Sequence, residues 1–169
     1  MPITFGNTDE EIERQYTIGA NQSEGRRYTA PETGNLASIS FFGGKTPGGN
    51  TNFKALLFDT NYNLLAVGES APVVNLSSSW VTSIFLDPPL VEIGNDYYLG
   101  IMAGPSLDMC VNFNSNVSLP GYWTLIDFYS LDINYFGYYE DQWEFSICAT
   151  YKEEGGLPSL GAALLGQLI

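Results

Sequence analysis

Residues 142–152 read QWEFSICATYK, and their alternation decides the fold. Trp143, Phe145, Ile147, Ala149 and Tyr151 fall on one face of an extended chain, and Glu144, Ser146, Cys148 and Thr150 on the other. A period of two sustained over this length predicts a half-buried strand. The same chemistry recurs upstream. RQYTIGAN (14–21), GRRYTAP (25–31), NLASISFFGG (35–44), NFKALLFD (52–59), LLAVGES (64–70), WVTSIFLDPP (80–89), DYYLGIMAG (96–104), MCVNFNS (109–115) and WTLIDFYS (123–130) are apolar or β-branched runs bounded by turn residues. About eight to ten short strands at this spacing predict an all-β, antiparallel two-sheet β-sandwich of jelly-roll-like form.

The composition agrees. Eighteen Gly, eleven Tyr and ten Phe with only 15% charged residues describe strands and turns better than helices. A chain of 169 residues suits one domain, large enough to fold without metals or disulfides. Organisation is read as an acidic N-terminal arm (1–15) with room for one helical turn, a sandwich (16–154) and an apolar tail (155–169). GGKTPGGN (43–50) reads as a long connection, DPPLVEIGND (87–96) as a turn-rich crossover and SLPGY (118–122) as a turn.

Charge and chemistry narrow the function. Six Lys and Arg against nineteen Asp and Glu give a formal charge of −13, which repels nucleic acid and anionic lipid alike. The chain has no His, so Ser-His-Asp, Cys-His and His-zinc chemistry are excluded from it. No apolar run approaches the length of a membrane span, and MPITFGNTDEEIERQ has neither the basic nor the apolar region of an export signal. No cofactor or metal is expected. Cys110 and Cys148 each sit one register away from the larger apolar residues, which turns both off the core face; a disulfide and two free thiols both remain open.

Asp59, Asn61 and Asn63 in FDTNYNLLAVGE (58–69) have the D-x-N-x-N spacing that opens many calcium loops. The template then fails, because its sixth and twelfth places hold Leu64 and Ser70 instead of Gly and Glu. A hairpin with its tip near Thr60 to Tyr62 is expected instead.

The ordered succession GNLASISFF, NFKALLFDTNYNLLAVGES, SSSWVTSIFLDPPLVEIGNDYYLGIMA and EFSICATY carries a resemblance over roughly residues 16–151. It resembles a diffuse group of jelly-roll-like β-sandwich modules found in phage particle proteins and in microbial surface or carbohydrate-binding proteins. The resemblance lies in core and turn residues. It implies the sandwich fold and a non-catalytic role in adhesion, carbohydrate binding or assembly, and it transfers no site residues.

Three segments are candidate sites. In the aromatic-rich loop LDINYFGYYEDQ, the faces of Tyr135, Phe136, Tyr138 and Tyr139 could stack on sugar rings while Asp132, Asn134, Asp141 and Gln142 bond hydroxyls. Carboxylate pairs drawn from Asp127, Asp132, Glu140, Asp141 and Glu144 are what a glycoside hydrolase would need, but nineteen acidic residues produce such pairs by coincidence. Arg26 and Arg27, the one basic cluster, are expected to pair with local carboxylates or to bridge to an acidic neighbouring subunit. In the tail, Leu157, Leu160, Leu164, Leu165, Leu168 and Ile169 recur at helical spacing on an uncharged segment, predicting a short amphipathic helix. Six such side chains, worth roughly 1.5–3 kcal/mol each when buried, must be covered by the chain's own sandwich or by another subunit, and a Gly-Gly hinge favours the latter. The expected function is a non-enzymatic structural protein of a virion or cell surface that assembles with copies of itself or decorates a larger particle. The alternatives are a carbohydrate-binding module and a subunit of an extracellular filament.

Overall fold

The alternating runs become strands. A computed structural model of the protein describes residues 3–10, 14–47, 51–105, 109–114, 119–126, 128–131, 133–141 and 144–152, and among these there are fifteen strands and no helix. They are β1 (Thr4–Gly6), β2 (Arg14–Ile18), β3 (Gln22–Thr29), β4 (Gly34–Lys45), β5 (Thr51–Phe58), β6 (Leu64–Val67), β7 (Ala71–Val73) and β8 (Ser79–Ile84). β9 (Leu90–Val91), β10 (Asp96–Ala103), β11 (Met109–Asn114), β12 (Leu119–Ile126), β13 (Ile133–Asp141), β14 (Glu144–Phe145) and β15 (Ile147–Tyr151) follow.

Two antiparallel sheets result. The first runs β1-β15-β4-β11-β14, with β2 on β11 and both β8 and β9 on β4; the second runs β13-β12-β3-β10-β5-β6, with β7 on β5. In chain order β3, β4, β5, β8, β10, β11, β12 and β15 fall alternately in the second and first sheets, so the links between them cross from sheet to sheet. The residues between the sheets are those that the alternation selects, although the run breaks at Ser146 into β14 and β15: Phe145 from β14 and Ile147, Ala149 and Tyr151 from β15 share a core cluster with Leu57 on β5 and Leu99 on β10. Ser83 ties the two sheets at one corner, its hydroxyl accepting from the Ala55 amide (3.1 Å) and donating to the Glu69 carbonyl (2.7 Å).

A second apolar cluster lies on the outer face of the second sheet, where Leu56, Phe58, Tyr98, Met102, Tyr122 and Phe128 are buried together. Tyr122 lies across that face above Gly25 and Gly100: a Cβ on Gly25 would come within 2.3 Å of its ring and one on Gly100 within 1.9 Å of its hydroxyl. Its hydroxyl lies 3.0 Å from Ser23 Oγ, which satisfies a buried polar group. β10 is therefore covered on both faces, although nothing in DYYLGIMAG separates an inner from an outer core.

Several boundaries differ from expectation. The N-terminal arm contains β1, paired with β15, where a helical turn had room to form. Gly43, Gly44 and Lys45 extend β4 rather than starting a loop, because they pair with Val111, Cys110 and Met109. The glycine is required there: a Cβ on Gly43 would lie 2.0 Å from the Cys110 carbonyl oxygen. SLPGY is no turn over its last residues, since β12 starts at Leu119 and pairs with β13. The tail with Leu157, Leu160, Leu164, Leu165, Leu168 and Ile169 lies outside the described residues. No described helix is long and apolar enough to cross a membrane.

Candidate functional site

The D-x-N-x-N stretch is a hairpin. Asp59 Oδ1 accepts from the Asn61 amide (2.8 Å) and the Asn63 amide (2.9 Å), and Oδ2 accepts from Asn63 Nδ2 (2.7 Å). Both carboxylate oxygens are thus engaged by the loop itself. Tyr62 takes a left-handed conformation (φ 63°) and stacks on Tyr98 at 5.1 Å between ring centroids, anchoring the tip to the second apolar cluster. Burial, the largest single effect, pushes the Asp59 carboxyl up, but the bonds from the Asn63 side chain and the Asn63 and Asn61 amides together outweigh it and hold the group below the usual carboxylate range. A lowered folded pKa means stabilisation that is present above the unfolded value of about 3.9 and is lost as pH falls through the folded one. Asp59→Ala is expected to cost roughly 1 kcal/mol at pH 7, in urea melts. The difference from wild type should vanish under strongly acidic conditions; a difference independent of pH would refute this role.

The aromatic segment is a strand, not a loop. Asn134, Tyr135, Phe136, Tyr138, Tyr139 and Asp141 belong to β13 at the end of the second sheet, where Tyr138 pairs with Tyr122, Tyr139 with Gly121 and Phe136 with Thr124. Dense Tyr and Phe suit a pleated strand, and β12 supplies the partner. Asp132 and Gln142 lie outside the described residues. Of the aromatic residues flanking the segment, Phe128 and Phe145 are buried and Tyr129 is exposed. Glu144 is pushed above the usual carboxylate range by burial and then by the nearby Asp9 carboxylate.

The two arginines part company. Arg27 lies 3.7 Å from the Asp96 carboxylate, a local pair. Arg26, expected at an assembly interface, is instead fully buried, with its guanidinium 3.9 Å above the centre of the Phe145 ring and Nη1 donating to the Gly25 carbonyl (3.1 Å). The alternation of β3 causes this, since Arg26 shares the inward face with Glu24 and Tyr28 while Arg27 points out.

The surface with the clearest shape is the outer face of the first sheet. Register aligns three rows across it: Ile84, Ser38, Thr150 and Thr4; then Thr82, Ser40, Cys148 and Gly6; then Trp80 and Phe42. In the first two rows the middle strands carry only small side chains, and Ser38, Ser40 and Cys148 are buried beside their neighbours, so they form a floor, while Phe42 and Trp80 pack together in the third row. Burial pushes the Cys148 thiol up to about 11, which keeps it protonated and unreactive at neutral pH. Cys148 and Cys110 are both free thiols.

One end of this floor is closed by the N-terminal arm. Asn7 donates its amide to the Ile147 carbonyl (2.8 Å), Ser146 Oγ donates to the Asp9 carbonyl and Trp80 Nε1 donates to the Glu10 carboxylate. The other end is open and apolar. Ile84 at the end of β8, Leu86 in the link that follows and Leu90 on β9 stand 52%, 74% and 58% exposed, and Leu90 pairs with the exposed Asn35. Isolated exposed apolar residues are ordinary, and three close together in sequence are less so. The signal was in the sequence as IFLDPPL, where apolar residues occupy both faces of a strand end, although that stretch reads first as a crossover. Against known proteins, no family model matches the chain and no curated protein matches it.

Proposed function

We propose that the chain is a jelly-roll-like structural module without catalytic activity, which assembles with copies of itself or decorates a larger particle such as a virion. The observation that carries this reading is the exposure of Ile84, Leu86 and Leu90, apolar surface beside the floor of Ser38, Ser40 and Cys148. Such surface is costly in water at about 25 cal/mol per Å² and is kept where a partner covers it. The floor beside it offers hydroxyls and a protonated thiol, a lining for packing rather than for acid–base chemistry.

Sedimentation velocity of the full chain tests this. The chain is expected to associate, and Leu86→Asp with Leu90→Asp should shift it to monomer while leaving the melting midpoint nearly unchanged, because neither side chain supports the core. A wild-type chain that stays monomeric at high concentration and binds no particle would overturn the reading. Specific binding on a glycan array, lost on Tyr138→Ala with Tyr139→Ala, would favour a carbohydrate-binding module.

A further inference from the structure

Segment 84–93 runs beside β4 and is tied to it throughout. Ile84 pairs with Ser38, the Phe85 amide donates to the Ala37 carbonyl, and the Leu36 amide donates to the Pro89 carbonyl. Leu90 and Val91 pair with Asn35 and Gly34, and the Ile93 amide donates to Thr33 Oγ1. The whole segment therefore follows β4 from Ser38 to Thr33, about 17 Å of extended chain. Four exposed apolar side chains, Ile84, Leu86, Leu90 and Ile93, fall within that length.

Carboxylates are set among them. Asp87 lies between Leu86 and Leu90 in the chain, Glu92 adjoins Ile93, and the Glu69 amide donates to the Ile84 carbonyl, which places Glu69 alongside; all three residues are exposed. Among the described residues no Lys or Arg lies within ion-pair distance of these three. The cations are committed elsewhere: Arg26 is buried against Phe145, Arg27 lies beside Asp96, Lys54 donates to the Phe128 carbonyl and Lys45 is at the far end of β4. Lys152 alone comes close by its backbone, on the β15 side of β4.

We propose that residues 84–93 dock a segment of a different protein, one in which apolar side chains are flanked by Lys or Arg. This inference rests on the assembly reading above and assigns the partner by charge. Apolar side chains rimmed by carboxylates are complementary to an apolar segment rimmed by cations. An anionic lipid surface is repelled, and two copies of this segment set face to face would bring carboxylate against carboxylate.

The probe is a labelled peptide of about 8 residues, long enough to span the segment, with a Leu centre and Lys at both ends. Counterparts carry Glu or Ser in place of Lys, and fluorescence anisotropy reads binding to the full chain. The Lys peptide should bind at least about 10-fold more tightly than the Glu peptide. Leu86→Ser with Leu90→Ser, and separately Asp87→Asn with Glu92→Gln, should each weaken it at least about 5-fold. Asp9→Asn with Glu10→Gln removes as much charge near Trp80, at the other end of β8, and should change binding less than about 2-fold, because that site lies beyond a screening length of about 8 Å. Equal weakening by the two charge variants would show that only overall charge acts, and equal binding of the three peptides that only apolar area acts; either overturns the proposal, as does no binding at all. A wild type that self-associates in sedimentation and becomes monomeric on Leu86→Ser with Leu90→Ser would make the occupant a second copy, overturning this inference while the assembly reading stands.

Discussion

Gly100→Ala is expected to destabilise the protein by about 3 kcal/mol, a large share of the stability of an ordinary domain. The new methyl group would lie 1.9 Å from Tyr122 Oη and 3.0 Å from its Cζ, while its next neighbour, Leu56 Cβ, is 3.4 Å away. Nearly the whole clash is therefore with one side chain. Tyr122 cannot swing aside cheaply, because it packs edge-on against Phe58 (5.0 Å) and Tyr98 (5.8 Å) and its hydroxyl is bonded to Ser23. Tyr122→Ala alone should cost about 3–5 kcal/mol through the cavity it leaves. In that background Gly100→Ala should cost less than about 1 kcal/mol, since the atoms it struck are gone. Urea melts of the four proteins measure the coupling, and costs that simply add would show that Tyr122 does not lie over Gly100.

Arg26→Ala should be almost as damaging, at roughly 3 kcal/mol. A desolvated contact between its guanidinium and the Phe145 ring contributes about 2 kcal/mol, and the buried stem adds packing. Loss of the cation also removes positive charge from the inward face of β3, where the Glu24 carboxylate is buried two positions away. Arg26→Met keeps the stem and isolates the charge. Adding Glu24→Gln to Arg26→Met should recover part of the loss, because an uncompensated buried carboxylate is what makes such removals severe. The readout is the urea midpoint at neutral pH. An Arg26→Ala protein within 0.5 kcal/mol of wild type, the ordinary range for a surface substitution, would refute the interior role.

The strands themselves were legible because side-chain period is a local property. QWEFSICATYK shows which residues of β15 face the core with no knowledge of its neighbours, and Asp59 to Asn63 shows a hairpin because Asx side chains bond their own backbone. The failure of the calcium template was equally local. What the sequence by itself determined about this protein is thus its class, most strand positions and the inward face of the last strand. Tertiary structure alone decided the rest. DYYLGIMAG cannot announce that both its faces are covered, since the cover for Tyr98 and Met102 comes from Tyr122 and Phe128, far along the chain. Arg26 reads as a surface charge until alternation is combined with the position of Phe145 across the sandwich. The exposed apolar residues follow the same logic: Ile84 and Leu90 look like ordinary strand and crossover residues, and only the pairing of β8 and β9 with β4 sets them beside Ser38 and Asn35 on one sheet. Burial depends on what other segments arrive, and composition, charge and periodicity carry no record of that arrival.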